Sequence, residues 1–491
     1  MEEKIPTRRE RRGLGTVLLV SVLALLVVAN LIVSAFATRF GWYLYRAERY
    51  EHTIGDTSET LFSDVSEEER VRVIFCKAED ELLKTVTDTL VLNTVRQLAA
   101  RHPFIEIEFV NIYLNPGRVK QYRERTTVTG ETVTAPITED SVIFSRGTGA
   151  EEVFRVESIQ TFFICDEKGA PTAYNGEEAA LSCILWALRD EHPVAGFTAS
   201  HGENYADMLA FYTTLLAAGY DVSVLDLTKE IPEGIELIVI TNPLWDFDRG
   251  AAGSGIQAEL DRLADFLDGG GSLFVSLDPY AKAPLTGLRE FLAARGLTAS
   301  RDVIRDMTNS ITYDGFTLVT EPAAGALATR LADRIGSYTD ARTVVREASP
   351  IVCQPVDGWT AEPLLLSSPS AETYRDGKPV GGADRYAVLA ASVAEGTGDR
   401  GTVILSSSVY FLANDVLNSA TYTNRDALLA ALELASGRTA PIGCSILAIG
   451  NDRLEDLTMG TARLYAALLT LALPLVIGAV GTAVLIRRKN R

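Results

Sequence analysis

The sequence predicts an α/β protein flanked by two transmembrane helices, and three features of its 491 residues carry that expectation. From Val194 onward, short β-branched runs alternate with stretches whose apolar residues recur at helical spacing, the pattern of a doubly wound, mostly parallel sheet. Ahead of that region, strand and helix signals follow one another as β-α-β-α-β-β from Val71 to Val156. At each end lies an uncharged apolar run long enough, as a helix, to cross a hydrocarbon core of roughly 30 Å.

The first run lies within 13–38 and contains TVLLVSVLALLVVANLIVSAFA; the second, 464–486, reads LYAALLTLALPLVIGAVGTAVLI, with Pro474 expected to kink it. Arg8, Arg9, Arg11 and Arg12 precede the first, and Arg487, Arg488, Lys489 and Arg491 follow the second. The positive-inside rule then places both tails, 1–12 and 487–491, in the cytoplasm and 40–462 outside, as in a cell-membrane protein with two spans. Trp42, Tyr43 and Tyr45 suit the interface just beyond the first run. Ala35-Phe36-Ala37 also has the small-residue pattern of a cleavage site, but the uncharged run exceeds the roughly 7–15 residues of a signal-peptide core, which favours an anchor. In the second run, Gly478, Ala479, Gly481 and Ala483 would either let another helix approach closely or face lipid.

The formal charge is −19, and with the basic clusters at the two ends the middle of the chain is more acidic still. Such a surface repels nucleic acid and anionic lipid, so neither is expected as a partner of this region. Five cysteines without a C-x-x-C spacing exclude a zinc ribbon and a dithiol redox motif.

A polar, acidic stretch (39–69) reads as a juxtamembrane stalk. In 70–176, the strands VRVIF (71–75) and IEIEFVNIY (105–113) and the intervening helix give the element order of a thioredoxin-like domain; Cys76 follows the first strand, but Glu79 stands where a resolving thiol would be needed. In 177–440, the strand VAGFTA (194–199) leads to a helix striped by Tyr205, Met208, Leu209, Tyr212, Leu215 and Leu216, with Asn204 as N-cap, Asp207 at N3 and Gly219 as stop. The strands DVSVLDL (221–227), IELIVIT (235–241) and SLFVSLDPY (272–280) follow, the last after a helix ended by Gly269-Gly270-Gly271. Residues 301–385 give no clear pattern. Strands return at 386–393 and 401–411, a helix spans Asn424 to Ser436, and 441–463 is a linker.

Loops at the carboxyl ends of parallel strands line the ligand crevice of such sheets. One of them, in TASHGEN (198–204), gathers Ser200, His201, Gly202 and Glu203; NPLWDFD (242–248) and DPY (278–280) are others. His201, Gly202, Glu203, Asn242, Asp246 and Asp278 are therefore the candidates for ligand or partner contact. None is assigned a catalytic role. A serine hydrolase needs a nucleophile on a strained elbow with its base arriving from elsewhere, and no G-x-S-x-G occurs. An amidotransferase-like enzyme needs a cysteine nucleophile, and none lies between Cys183 and Cys353. With four histidines in the chain and only His201 in the α/β pattern from Val194 onward, no metal is expected, although His201, Glu203, Asp246 and Asp278 are of ligating type. Nucleotide-binding glycine loops are absent, and no cofactor is expected. A structural role explains the turn more simply: Gly202 permits it, Asn204 caps the helix, and His201 and Glu203 bond to loop backbone.

The stretch TASHGENYADMLAFYTTLLAAGYDVSVLDLTKEIPEGIELIVITNPLWDFD, then LDGGGSLFVSLDP, VILSSSVYFLAND and the final apolar run, resembles the GldG family, named from bacterial gliding motility. The likeness covers most of the chain, including DTSETLF in the stalk. It implies a GIFT-like, glutamine-amidotransferase-like domain without established catalytic residues. It also implies an auxiliary, non-enzymatic role beside an ABC permease and a separate ABC ATPase, the ligand being unknown. The alternative is an extracytoplasmic hydrolase using the strand-end loops.

Overall fold

In the computed structural model the described residues are Val20, Ser21, Ala24, Val28, 52–449 and Leu473–Lys489, less 67, 127–131, 135, 150–151, 166–169, 191, 204, 206–207, 248–257, 337, 339–340, 397–400, 420, 439–443 and 445. The chain divides into two units, Met1–Glu51 with Gly450–Arg491, and His52–Ile449.

The first unit corrects the expectation of two flanking transmembrane helices. Among the described residues no helix is long and apolar enough to cross a membrane. Near the C-terminus the described helix is Leu473–Lys489. Of the expected first span, 13–38, only four positions are described, and 464–472 lies outside the described residues.

The second unit is mixed α/β, and its first sheet is small. Strand β1 (Val71–Phe75), helix α1 (Val86–Arg101) and strands β2 (Ile105–Phe109), β3 (Ser141–Arg146) and β4 (Val153–Ser158) build a sheet of order β2-β1-β3-β4. β1 is parallel to β2 and antiparallel to β3. Thr85 caps α1 by accepting the Asp88 N–H at 3.2 Å, which satisfies one of the free amides of its first turn. Cys76 is buried at the end of β1, and burial pushes its thiol up to about 11.

Strand β5 (Pro171–Tyr174) and helix α2 (Gly176–Leu188) follow, and α2 touches both α1 and β3. The chain then builds β6 (Val194–Thr198), α3 (Leu209–Ala217), β7 (Asp221–Leu225), β8 (Ile235–Thr241), α4 (Glu259–Asp268), β9 (Ser272–Ser276) and α5 (Thr286–Ala293). After these come β10 (Thr317–Pro322), β11 (Thr343–Arg346), β12 (Trp359–Leu366), β13 (Ala387–Ala394), β14 (Thr402–Ser406) and helix α6 (Asn424–Ser436). The large sheet runs β7-β6-β8-β9-β14-β13-β12-β10-β11, with two short strands, Leu297–Ala299 and Ile351–Cys353, attached beside it.

Why helices cover both faces follows from the strands themselves. Successive side chains of a strand point to opposite faces. Ala195, Phe197, Leu237, Val239, Phe274 and Ile404 join one core with Phe211 and Leu215 of α3 and Leu428 and Leu432 of α6. Their neighbours in sequence, Val194, Ile238, Ile240, Leu273, Val275, Val403 and Leu405, join the other with Leu263 of α4 and Leu288 and Leu292 of α5. Strands apolar on both sides cannot face water on either, so each β-α-β step lays its helix across one face.

The expectation of a mostly parallel sheet also needs correction. β7, β6, β8, β9 and β14 pair in parallel, but β14–β13, β13–β12, β12–β10 and β10–β11 are antiparallel. The antiparallel half comes largely from 301–385, whose short strands and loops carry too little periodicity to read.

Tyr174 at the end of β5 ties the unit's beginning to its end. It is fully buried, its hydroxyl lies 2.7 Å from Thr94 Oγ1, and it donates to the Leu90 carbonyl of α1 at 3.0 Å. The His52 ring meets it edge-on at 5.3 Å, and the two-residue strand β15 (Leu447–Ala448) pairs with β5 at Tyr174. Gly176 makes this possible: a Cβ there would sit 2.0 Å from the Tyr174 ring and hydroxyl. Gly176→Ala is therefore expected to destabilise the protein by about 1–3 kcal/mol through overpacking, read as a lower urea midpoint at unchanged m-value.

Candidate functional site

From β6 the chain crosses to β7 on one side and then returns to β8 on the other. That reversal opens a crevice between the carboxyl ends of β6 and β8, the position where sheets of this order receive a ligand. The candidates His201, Gly202 and Glu203 follow β6, and Asn242 and Asp246 follow β8, so the topology delivers both groups to the same crevice.

Here the crevice is filled by the chain itself. His201 is fully buried, and its ring stacks on Phe247 at 3.8 Å and 19°. Its Nε2 lies 3.1 Å from Glu259 Oε2, and its Nδ1 lies 3.6 Å from Glu203 Oε1. Both glutamate side chains are as buried as the imidazole between them. Glu203 also accepts from the Thr198 hydroxyl at 2.6 Å and from the His201 amide at 2.7 Å, closing the loop onto the end of β6. The His201 carbonyl in turn accepts the amides of Leu244 and Trp245 at 2.7 and 3.1 Å, pinning the two loops together.

Gly202 has φ +77°, and a Cβ on it would come within 3.0 Å of Leu244 and 3.1 Å of Trp245. Only glycine meets both demands, a left-handed backbone and contact with the facing loop. Asn242 also takes a positive φ, +43°, and donates its amide to the Ser276 carbonyl at 2.9 Å. Asn is among the few residues that adopt this conformation readily.

The other candidates do not join the imidazole cluster. Asp246 accepts the amides of Gly287 and Leu288 at 2.6 and 3.0 Å, capping α5. Asp278 accepts the Tyr280 amide at 2.8 Å in a turn of its own. Ser200 donates to Asp226 at 3.4 Å.

Two positions differ from the sequence expectation. The helix after β6 begins at Leu209, with Met208 as N-cap, rather than near Tyr205. The Tyr205 hydroxyl donates to the Thr198 carbonyl, which holds that ring at the strand end and its edge against Phe197. The expected cap Asn204 and its partner Asp207 lie outside the described residues. Glu259, absent from the expected set, completes the cluster. It reads in sequence as an ordinary first-turn acid of α4, and only the fold brings it 58 positions back to His201.

Electrostatics match this packing. Burial alone would lower the His201 pKa, but hydrogen bonds and charge from Glu203 and Glu259 outweigh it and hold the imidazole above its ordinary value. Burial would raise Glu203, yet its bonds to His201, Thr198 and backbone amides keep it below the usual carboxylate range. A general base must reach the proton it takes. His201 is enclosed by carboxylates and an aromatic ring instead. Beside this closed centre, Leu244 and Trp245, whose amides bond to the His201 carbonyl, are 52% and 57% exposed.

No family model and no curated protein matches the chain. Among solved structures, it is similar to a cytoplasmic protein from Salmonella typhimurium at 12% identity and a TM-score of 0.30, over 49% of this chain and 98% of that one. It is also similar to a GMP synthase subunit from Thermoplasma acidophilum, at 10% identity and a TM-score of 0.27, over 50% of this chain and 96% of that one. Scores this low carry no argument about fold or activity.

The raised His201 pKa contributes stability that is complete below the ordinary imidazole value of roughly 6.5 and is lost as pH rises through the folded value. The urea midpoint should therefore fall as pH rises above about 6.5, and His201→Gln should remove that component of the fall. Asp246→Ala, which uncaps α5, should cost about 1 kcal/mol, measured in the same unfolding titration.

Proposed function

We propose that this chain is a non-enzymatic binding component of an ABC-type transport system, acting beside a permease and a separate ATPase. The observation that carries the non-enzymatic part is the closed crevice. Where a substrate would lie, the His201 imidazole, Phe247 and two buried glutamates already pack together. The hydrolase alternative asks the same histidine to be open to substrate and water. The transport setting rests on the resemblance of the H-G-E turn, the strand-end N-P and the order of the elements around them to the GldG family.

In this reading the crevice loops serve as a rigid platform for a partner. The buried ion pairs fix the backbone, and the exposed Leu244 and Trp245 supply apolar contact of the kind that dominates protein interfaces. Aromatic side chains give large contact area at little conformational cost, which suits such a role.

Affinity purification of the full-length protein from native membranes, with mass spectrometry of what accompanies it, tests the proposal. Recovery of a permease and a Walker-motif ATPase is expected. Trp245→Ala should lower their recovery several-fold while leaving the unfolding midpoint unchanged. Loss of neither partner in the variant would remove the platform from consideration, and absence of both partners from the parent protein would defeat the transport assignment.

A further inference from the structure

The segment 306–316, between the short strand Val303–Arg305 and β10, holds apolar side chains out into solvent on a closely pinned loop. Asp306 at its root is buried and accepts the amides of Thr308 and Asn309 at 2.8 and 2.9 Å and the Ser370 hydroxyl at 2.9 Å. Farther along, the Ile311 amide donates to the Thr317 carbonyl at 2.9 Å, and Asp314 accepts the Thr312 hydroxyl at 2.6 Å and the Phe316 amide at 3.1 Å. On this frame Met307 and Ile311 are 62% and 41% exposed, and Tyr313 is fully exposed. Single exposed apolar residues are ordinary, but three on one hydrogen-bonded loop are the kind of surface that marks an interaction site. Because the backbone is already fixed, a partner binds it without the cost of ordering a loop.

The charges beside the loop define the chemistry of that partner. Asp314 follows Tyr313 directly, and the amide of Glu347, just after β11, donates to the Phe316 carbonyl at 2.9 Å. Burial raises the Glu347 carboxyl above its ordinary value, and the Asp278 and Asp314 carboxylates push it the same way, against the pull of Arg346. After burial, the same three carboxylates also raise the hydroxyl of Tyr280, so that exposed ring sits among them. Loops following β9 and β11 thus meet the segment 306–316 in one acidic surface. Two arginines beside it are already engaged: Arg346 lies over the Tyr410 ring at 4.1 Å and 3.6 Å from Asp415, and Arg305 donates to the Asp314 carbonyl at 2.7 Å. Such a surface repels anionic lipid and nucleic acid and attracts a basic partner.

We propose that this face docks a basic amphipathic segment of another protein. Its apolar side chains cover Met307, Ile311 and Tyr313, while its Lys or Arg side chains meet Asp278, Asp314 and Glu347. Tyr280 offers a ring face to one of those cations. The face shares no residue with the Leu244–Trp245 platform, so it stands whether or not the chain serves a transporter.

Fluorescence anisotropy of labelled heptapeptides with the full-length protein, at about 0.15 M salt, tests this. The probes are RLRLRLR, its charge-reversed form ELELELE, and RSRSRSR, which lacks the apolar side chains. RLRLRLR should bind, and the other two should bind at least about tenfold more weakly. Asp278→Asn with Asp314→Asn keeps both turns, since Asn accepts the same amides, and should weaken binding severalfold. Tyr313→Ser should do the same at an unchanged unfolding midpoint. Asp64→Asn with Asp80→Asn removes two exposed carboxylates on either side of β1 in sequence and should leave binding unchanged. The proposal is overturned if RLRLRLR does not bind at about 1 mM, or if ELELELE binds as well. It is also overturned if the Asp64 and Asp80 pair weakens binding as much as the Asp278 and Asp314 pair, or if binding is undiminished in Tyr313→Ser. Phosphatidylcholine vesicles serve as a further probe: binding to them that Tyr313→Ser abolishes would make the loop a lipid-inserting one and overturn the proposal too.

Discussion

Burial of the parallel strands on both faces is the constraint from which the rest of His52–Ile449 follows. β8, IELIVIT, sends Leu237 and Val239 into one core and Ile238 and Ile240 into the other. With apolar residues on both sides, each strand requires helices on both, and the chain must cross over the sheet to supply them. Polar chemistry is thereby pushed to the strand ends. This is why Thr198, His201, Glu203 and Thr241 gather at one edge and not along the sheet.

At that edge the molecule departs from what the sheet order would allow. A crevice at a strand-order reversal is a natural ligand site, because two loops diverge there and helix amides point into the gap. In this chain the gap is bridged by a carboxylate–imidazole–carboxylate row. Such buried charges contribute to stability only when well paired, and removing one member leaves the others stranded. His201 thus does for two loops what a ligand would otherwise do, holding them at a fixed spacing. The row itself is shut off from solvent.

Much of this arrangement could be read from the sequence where side-chain pattern alone decides it. The strands at 194–198, 235–241 and 272–276 and the helix Asn424–Ser436 are visible because β-branched runs and helical stripes are local signals. His201, Gly202 and Glu203 stood out because a polar break between apolar stretches is equally local. The antiparallel half of the large sheet was not legible, since strands such as Thr343–Arg346 are too short for a period to show. Nor was the start of α3, because one hydroxyl bond from Tyr205 outweighs the helical stripe. Glu259 was hidden for a different reason: its role depends on a partner far away in sequence. At the chain ends, apolar runs suggested two spans, but among the described residues no helix is long and apolar enough to cross a membrane.

The junction at Tyr174 has a mechanical consequence. His52 packs on this ring, Leu447 pairs with its backbone, and the Ile449 amide donates to the Thr172 carbonyl at 3.0 Å, so the segment at the start of the unit and the strand at its end share one anchor. Tension arriving along the chain from both ends meets at β5 before it reaches either core. The two-residue strand Leu447–Ala448 is the weakest element in that path, and it would part first, leaving both sheets unloaded behind it.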